Sequence, residues 1–437
     1  MRHAPFILTL LTSTLALADD WAQYGGPTRD LVWREDGIVE TLPAELTRLW
    51  EAPVAQGYSG PAVADGKVFV TDYRRLDDGE IPDGERIDGV EGVRCFDAET
   101  GDALWSHEYP CDYEVSYPYG PRATPTIDSG KVYALGTMGD LHCLDATSGA
   151  VIWKKNYVAD FGARVPRWGV AAAPLVDGDK LIVVVGGKPN AAVMALDKNT
   201  GDEVWRSLES DSAGYCPPII IEAGGTRQLI AWLPNALSSL DPETGELHWS
   251  EPFEIRYAMS IATPIYDPSR RMLFVSAFYD GPLMMRLSAD RPEAEVLWRG
   301  SSENEREPDG LHALMCTPQL VDGYLYGICT YGQLRCVDAE TGEQQWETLE
   351  ATGDGRWWNA FLIRHGDRYF IANEQGDLIT AALSPDGYAE SSRAHLIDPT
   401  NKAAGRDYVW SPPAFAGRRI YARNDNHLIC ADLAVGP

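Results

Sequence analysis

Apolar and polar residues alternate with a period of two in short runs along the chain, as in Val68 and Val70 or Leu141 and Cys143. Such alternation is typical of half-buried β-strands. Asp-Gly and Asp-Ser pairs separate successive runs and predict tight hairpin turns, where a positive φ is needed. The pattern therefore predicts short antiparallel strands joined by hairpins.

One segment recurs at intervals of about 50 residues, a spacing typical of repeat architectures. It consists of a strand end, an Asp, a polar turn with Thr-Gly or Ser-Gly, and a second strand that ends in Trp. The copies read CFDAETGDALW (95–105), CLDATSGAVIW (143–153), ALDKNTGDEVW (195–205), SLDPETGELHW (239–249), CVDAETGEQQW (336–346) and, more loosely, RLSADRPEAEVLW (286–298).

Each copy completes a unit of four predicted strands. The units begin at Ser59, Ala123, Ala172, Cys216, Ala262, Cys316, Asn359 and Ser411. One four-stranded sheet cannot cover both of its faces, so neighbouring units must stack. We expect an all-β, eight-bladed β-propeller with four-stranded antiparallel blades. Seven blades remain an alternative, because the seventh unit lacks the Trp and the Thr-Gly in its repeat segment, at 382–396.

The two ends of this array complete one another. Residues 46–50 (LTRLW) resemble the last strand of a unit, and residues 420–433 resemble a unit without its last strand. Pairing of these N- and C-terminal strands would close the ring and remove the open sheet edges that favour aggregation. The predicted propeller therefore extends over residues 46–437, preceded by an arm at 19–45.

The first 18 residues predict a signal peptide. Arg2 and His3 precede an apolar run from Phe6 to Leu17, and Ala16 and Ala18 supply the small residues of a cleavage site. The run is too short to span a bilayer, and no Cys follows it for lipid attachment. We expect export to the periplasm or the extracellular space, with no membrane span.

The repeated residues have a structural explanation. Each Asp can accept hydrogen bonds from backbone N–H groups of its turn, each Gly takes the positive-φ position, and each Trp packs on a neighbouring blade. We assign this docking role to Asp97, Gly101, Trp105, Asp145, Gly149, Trp153, Asp197, Gly201, Trp205, Asp241, Gly245, Trp249, Trp298, Asp338, Gly342 and Trp346.

Charge and cysteine content narrow the function. The 37 Lys and Arg and 65 Asp and Glu residues give a net charge of −28, which disfavours nucleic acid as a partner. The eight Cys are expected to be buried hydrophobes, since those at equivalent places in successive units lie too far apart for disulfides.

No His spacing predicts a metal site. The acidic insert at 74–92 is expected to be solvated, with a Ca²⁺ loop as the alternative.

The Asp, Thr-Gly and Trp segment resembles the tryptophan-docking repeat of the pyrroloquinoline-quinone (PQQ) dehydrogenase-like propellers, and the resemblance covers the mature chain. This family includes PQQ-dependent dehydrogenases and non-catalytic propellers, such as a subunit of the outer-membrane assembly machinery. In the dehydrogenases the resemblance implies adjacent cysteines beside the quinone and a Glu, Asn and Asp set for Ca²⁺. The chain has no Cys-Cys pair, no matching set and no CxxCH haem motif.

We therefore expect a non-catalytic, monomeric binding or protein-interaction scaffold with an unidentified protein or small-molecule ligand and no assigned cofactor or metal. The alternative is a PQQ- and Ca²⁺-dependent alcohol or sugar dehydrogenase.

In a propeller, the connections that enter the innermost strands meet around the axis. Their aromatic, Arg and His residues are the candidate ligand contacts: Tyr58, Tyr119, Arg122, Arg167, Trp168, Tyr215, Arg256, Tyr257, His312, Arg356, Trp357, Trp358, Tyr408 and Trp410. They could form a funnel for a planar or anionic ligand, or pack on each other and plug the channel.

Overall fold

The computed structural model describes residues 20–77, 79 and 86–436, so the predicted signal peptide lies outside the described residues. Within this part of the chain, 34 strands form eight four-stranded antiparallel sheets and one two-stranded sheet. The prediction of an all-β, eight-bladed propeller is confirmed. Neither of the two short helices in the described residues has the length and apolar character needed to cross a membrane.

The strands follow one another from the axis outwards within each of the first four blades. Blade 1 contains β2 (Ala62–Ala64), β3 (Lys67–Arg75), β4 (Gly89–Asp97) and β5 (Ala103–Pro110). Blade 2 contains β6 (Thr126–Asp128), β7 (Lys131–Leu135), β8 (Asp140–Asp145) and β9 (Val151–Asn156), followed by α1 (Tyr157–Phe161). Blade 3 contains β10 (Leu175–Asp177), β11 (Lys180–Gly187), β12 (Ala191–Asp197) and β13 (Glu203–Ser207). Blade 4 contains β14 (Ile219–Ala223), β15 (Thr226–Leu233), β16 (Ala236–Leu240) and β17 (Leu247–Pro252).

The same order continues in the next three blades. A 3-10 turn (Arg256–Ala258) precedes blade 5, which contains β18 (Ile265–Asp267), β19 (Met272–Ala277), β20 (Gly281–Leu287) and β21 (Ala294–Arg299). Blade 6 contains β22 (Gln319–Val321), β23 (Tyr324–Ile328), β24 (Leu334–Asp338) and β25 (Gln344–Thr348). Blade 7 contains β26 (Ala360–His365), β27 (Arg368–Asn373), β28 (Asp377–Ser384) and β29 (Gly387–His395), followed by the hairpin β30 (Asn401–Ala403) and β31 (Arg406–Tyr408).

Blade 8 is built from both ends of the chain. Its inner strands are β32 (Ala414–Ala416), β33 (Arg419–Arg423) and β34 (His427–Asp432), and its outermost strand is β1 (Arg48–Pro53). The β1–β34 pairing is antiparallel, with Trp50 opposite Cys430 and Ala52 opposite Leu428. The predicted closure of the ring by its N- and C-terminal strands is therefore present.

The outer-strand Trp of one blade lies on the repeat turn of the next. The indole N–H of Trp153 donates to the carbonyl of Lys198 at 3.1 Å, and its ring lies on Gly201, whose φ is +75°. A Cβ at Gly201 would lie 2.8 Å from the indole, so only glycine allows this close approach. Four other tryptophans donate the same indole N–H hydrogen bond to a backbone carbonyl of the next blade: Trp50 to Ala98, Trp105 to Ala146, Trp205 to Pro242 and Trp298 to Ala339.

Two blades depart from this pattern. Trp249 donates instead to Gln228 in its own blade at 3.0 Å, and the facing turn of blade 5 (288–292) has no glycine. Blade 7 has no docking Trp, yet Trp346 of blade 6 donates to its turn at the Ser384 carbonyl at 2.8 Å. The degenerate seventh unit therefore keeps its place in the ring, and the seven-blade alternative is wrong.

All eight cysteines are buried and none forms a disulfide. Cys95, Cys143, Cys336 and Cys430 lie at equivalent places on the third strands of their blades, with no exposed area. Burial raises the pKa of the Cys95 thiol to about 12, so it stays protonated. These residues serve as small hydrophobic side chains in the packing between sheets.

Residues before β1 cross the base of the ring. Trp21 forms a β-bridge with Val63 in the innermost strand of blade 1. Trp33 is buried 12 residues later, with its ring centroid 5.4 Å from Phe370 of blade 7 and 4.9 Å from Phe415 of blade 8. This path carries the intervening residues beneath the propeller axis.

Candidate functional site

A cavity of about 250 Å³ lies on the propeller axis. The segments that enter the innermost strands of all eight blades contribute to its wall, together with the arm and the β19–β20 turn. Its lining residues are Tyr24, Tyr58, Tyr117, Arg122, Thr124, Trp168, Ala171, Ala173, Tyr215, Pro217, Met259, Ile261, Tyr279, Leu314, Met315, Trp357, Phe361, Trp410 and Pro412. The lining is therefore mostly aromatic and aliphatic.

Six of the fourteen candidate ligand contacts line this cavity: Tyr58, Arg122, Trp168, Tyr215, Trp357 and Trp410. The other eight are not among its lining residues: Tyr119, Arg167, Arg256, Tyr257, His312, Arg356, Trp358 and Tyr408. The structure thus divides the predicted set into residues that line the cavity and residues that lie outside its lining.

Several candidate aromatics pack on each other rather than on the cavity. Tyr408 stacks on Trp410 with ring centroids 3.7 Å apart, and its hydroxyl lies 2.9 Å from that of Tyr58. Tyr119 meets Tyr58 edge-on at 6.3 Å, and Trp358 packs under the guanidinium of Arg406 at 4.9 Å. The funnel and plug alternatives therefore describe different parts of one surface.

Three of the four candidate arginines have ion-pair or backbone carbonyl partners. Arg256 forms an ion pair with Asp280 at 2.8 Å, and Arg356 forms one with Glu305 at 2.7 Å. Both terminal nitrogens of Arg122 donate to backbone carbonyls of residues 116–120. These guanidinium groups therefore brace the loops around the cavity.

His312 and Tyr257 lie away from the cavity for different reasons. The His312 ring is buried, with Nε2 2.9 Å from Asp309 and Nδ1 3.3 Å from the Phe278 carbonyl. Burial raises the pKa of Asp309, but the hydrogen bonds from Ser301 and His312 outweigh it and lower that pKa to about 2. Tyr257 is 63% exposed in the turn before blade 5.

The floor of the cavity comes from the arm, which the sequence did not predict as part of a site. The Tyr24 hydroxyl lies 3.1 Å from that of Thr317, and Tyr24 lines the cavity. Beside it the buried Arg29 donates to the carbonyls of Ala173 (3.3 Å), Pro218 (3.1 Å) and Pro174. Desolvation lowers the pKa of Arg29 to about 9. No sequence pattern indicates where an aperiodic arm will lie.

An aliphatic wall was also missed. Met259, Ile261, Leu314 and Met315 face the cavity from the segments before blades 5 and 6. Those segments were predicted to meet at the axis, but only their aromatic, Arg and His residues were selected. Their apolar residues were visible in the same stretches of sequence.

A buried carboxylate fixes one side of the mouth. Glu374 accepts hydrogen bonds from the Trp410 indole at 2.8 Å and the Asn359 backbone at 3.0 Å, and pairs with Arg406. Burial raises its pKa, and the bonds from Arg406 and Trp410 act against that rise. Glu374 thereby orients Trp410 without reaching the cavity lining itself.

The lining does not fit PQQ with Ca²⁺. Calcium takes six to eight oxygen ligands, usually with carboxylates among them. The lining residues include no Asp, Glu, Asn or Gln. Among the described residues, no group of three or more His, Cys, Asp or Glu side chains is arranged to hold a metal ion.

Fold and site together define a class: a tryptophan-docked, eight-bladed propeller with an aromatic axial cavity. The family model described as outer membrane protein assembly factor BamB matches residues 89–348. The chain belongs to this family.

Individual relatives are distant. Outer membrane protein assembly factor BamB of Yersinia pestis is 22% identical over 218 residues, which cover 48% of this chain and 51% of that protein. The match thus spans about half the length of this curated relative. BamB from Moraxella catarrhalis has a TM-score of 0.57 at 17% identity, covering 89% of this chain and 98% of its own. Quinohemoprotein alcohol dehydrogenase from Comamonas testosteroni has a TM-score of 0.60 at 14% identity, covering 96% and 81%. These structures share the fold.

Proposed function

We propose that this protein is an exported, non-catalytic propeller that serves as a binding or protein-interaction scaffold, with the axial cavity as its ligand site. The observation that carries the proposal is the chemistry of the lining. Aromatic and aliphatic side chains dominate it, and Arg122 is its one charged residue among those described. Such a surface recognises shape and apolar groups.

The ionisable groups of the lining are poorly suited to acid–base catalysis, which favours a pKa near the working pH. Burial raises the pKa of Tyr58 well above its usual value, and the neighbouring Tyr408 raises it further. Burial also raises the pKa of Tyr215 to about 12. Both hydroxyls hold their protons at neutral pH and cannot act as bases. The Tyr215 hydroxyl remains available as a hydrogen-bond donor, whereas that of Tyr58 is paired with the Tyr408 hydroxyl.

The family supports a scaffold role. Its description, and that of the relative from Yersinia pestis, names an outer membrane protein assembly factor. We extend a role in protein interaction to this chain as part of the proposal. A propeller provides a broad, rigid platform on which a partner can dock while the axial cavity holds a ligand.

Export can be tested by the N-terminus of the secreted protein. The whole chain, expressed in a bacterial host, should lose residues 1–18 and be recovered outside the cytoplasm. Intact-mass analysis should give a chain that begins at Asp19. Recovery of the uncleaved chain from the cytoplasm would contradict the proposal.

The proposed lack of quinone-dependent dehydrogenase activity has a direct test. The purified protein is incubated with PQQ and Ca²⁺, and dye reduction is followed with a panel of alcohols and sugars. We expect no turnover above that of the same mixture without protein. Protein-dependent dye reduction that saturates with substrate would overturn the proposal in favour of a quinone-dependent dehydrogenase.

A further inference from the structure

We propose that the axial cavity binds an uncharged, planar aromatic molecule that carries a carbonyl-type hydrogen-bond acceptor. This inference rests on the proposed function and specifies the ligand of the same site. It follows from the charges, the volume and the hydroxyl groups of the wall.

Three guanidinium groups disfavour a cationic ligand. Aromatic cages can hold cations over their ring faces. Here Arg122 lies 5.1 Å from the ring of Tyr58, Arg167 lies 5.5 Å from that of Trp168, and Arg356 lies 4.6 Å from that of Trp357. The cation–π interactions of these rings are therefore made within the protein, and a second cation would be repelled.

An anionic ligand is disfavoured for a different reason. Arginine recognises carboxylates through free N–H groups in a bidentate arrangement. Both terminal nitrogens of Arg122 donate to backbone carbonyls, including that of Ser116 at 3.2 Å. Arg356 donates to Glu305 and to the Tyr279 hydroxyl. An anion that paired with Arg122 or Arg356 would have to displace these bonds, whereas a neutral ring would leave them intact.

The cavity volume sets the size of the ligand. An engineered apolar cavity of about 150 Å³ holds benzene. The axial cavity is about 250 Å³, which suits two fused rings with a small substituent. Tyr24 lines its base, where the arm crosses the axis, so a bound molecule would be enclosed on the arm side.

Two tyrosines of the lining can donate a hydrogen bond to an acceptor on the ligand. The Tyr279 hydroxyl accepts from Arg356 at 2.9 Å, and the Tyr215 hydroxyl accepts from the Trp168 backbone at 3.4 Å. A hydroxyl that accepts a hydrogen bond still has its own proton to donate. A carbonyl on the ligand could accept from either, which would fix the orientation of an otherwise apolar ring.

The charge requirement can be tested with three probes of one shape. Acetylnaphthalene is neutral, naphthoate is anionic and naphthylmethylammonium is cationic, and all present the same two rings. Binding to the purified mature protein is measured by ligand-observed NMR and calorimetry. We expect saturable one-to-one binding of acetylnaphthalene, with each charged probe at least tenfold weaker. Equal or tighter binding of a charged probe, or no binding of the neutral one, overturns the inference.

The location can be tested by filling the cavity. Ala171 lines the cavity, so Ala171→Phe should reduce acetylnaphthalene binding more than tenfold. Ala159 is exposed on α1, and Ala159→Phe is the matched control with expected wild-type affinity. Thermal unfolding of both variants verifies that they fold. If Ala171→Phe does not fold, Leu314→Trp reduces the cavity volume from another blade. Unchanged affinity in a folded filled variant contradicts the assignment.

The acceptor requirement has its own readout. Tyr279→Phe and Tyr215→Phe should weaken acetylnaphthalene about three- to tenfold in at least one variant, since a hydrogen bond contributes about that much. Ethylnaphthalene has no acceptor and should bind wild type and variants alike. Equal losses of affinity for acetylnaphthalene and ethylnaphthalene would indicate that the tyrosines only pack against the ligand. That result would overturn the claim that the ligand carries a hydrogen-bond acceptor.

The binding experiments and the dehydrogenase assay test different claims, so failure of this inference can be told apart from failure of the proposed function. Binding of no neutral probe, together with no PQQ turnover, would overturn this inference and leave the scaffold proposal intact.

Discussion

Trp153 shows how a single residue joins two blades. It lies in the middle of β9, the outer strand of blade 2, and its side chain reaches the turn of blade 3, where it lies on Gly201 and donates to the Lys198 carbonyl. Only 8% of Trp153 is exposed, whereas the preceding Ile152 on the same strand is 44% exposed. Adjacent strand residues point to opposite faces, so one is a docking residue and the other is solvated.

Trp153→Ala should therefore lower the free energy of unfolding by about 3–5 kcal/mol, the usual cost of truncating a large buried aromatic. Ile152→Ala, one residue away, should change it by about 0.5 kcal/mol or less. Urea titration followed by circular dichroism measures both variants. Similar losses in the two would contradict the docking role of the tryptophan.

His142 lies in a buried interface between blades 1 and 2. Its ring centroid is 5.0 Å from that of His107 and 4.4 Å from that of Tyr109, which hydrogen-bonds the buried Glu91. Burial, followed by the positive charges of His107 and Lys154, lowers the pKa of His142 to about 4. The folded protein thus holds this ring neutral, while an unfolded chain would protonate it near pH 6.5.

This difference predicts a pH dependence of stability. Because the folded pKa is depressed, stability is fully present above pH 6.5 and is lost as the pH falls towards 4, by about 3 kcal/mol. His142→Phe should flatten that part of the profile. His427→Gln, at an exposed ring, is the control and should retain the wild-type slope. Unfolding titrations from pH 7 to 4 give both slopes, and a His142→Phe slope equal to wild type would contradict the explanation.

At the level of elements, the arm closes the base of the ring. It has no repeat and no strand periodicity, so the sequence predicted only that it precedes the propeller. Its path depends on the space that eight blades leave at the axis, which no local pattern encodes. The strands and hairpins were predictable because alternation and turn residues are local signals.

Arg29 is the polar anchor of the arm. Arg29→Met replaces the guanidinium with an apolar side chain of similar length. The carbonyls of Ala173, Pro174 and Pro218 then lack their donor, so we expect the free energy of unfolding to fall by about 1–3 kcal/mol. Arg34→Met is the matched control, because the Arg34 side chain is 49% exposed and its surface ion pair contributes about 1 kcal/mol or less. Thermal and urea unfolding measure both, and equal losses would contradict the anchoring role.

The whole molecule depends on closure of the ring by β1. A sheet edge left open at β34 would expose unpaired backbone groups to other chains. The sequence predicted this closure because each terminal fragment lacked the strand that the other supplied. It also predicted which segments meet at the axis, since topology alone brings them there.

What could not be predicted is which side chains face the cavity. Tyr58 and Tyr408 come from equivalent segments, yet Tyr58 lines the cavity while Tyr408 stacks behind it on Trp410. This division depends on the radius of the ring and on packing between neighbouring loops. The partners of Arg256 and Arg356 come from distant loops, at Asp280 and Glu305, and are equally invisible in the local sequence.

Ring closure can be tested by replacing one strand. A Gly-Ser segment of equal length in place of β1 (Arg48–Pro53) should open the ring, lower the unfolding temperature and produce oligomers on size-exclusion chromatography. The same replacement of β17 (Leu247–Pro252), also an outermost six-residue strand, is the control. The β17 replacement removes comparable contacts without separating the ends of the ring. It should therefore lower the unfolding temperature less and produce fewer oligomers than the β1 replacement. Equal effects would contradict a special role of β1.

The central claim is that the axial cavity of this closed ring is a binding site for an uncharged aromatic molecule. A crystal structure of the protein with acetylnaphthalene tests it most directly. The account predicts one ligand on the axis, in contact with Trp357 and Tyr58, with its carbonyl within hydrogen-bond distance of Tyr279 or Tyr215. An axial cavity without ligand, in crystals where acetylnaphthalene binds elsewhere on the propeller, would contradict it.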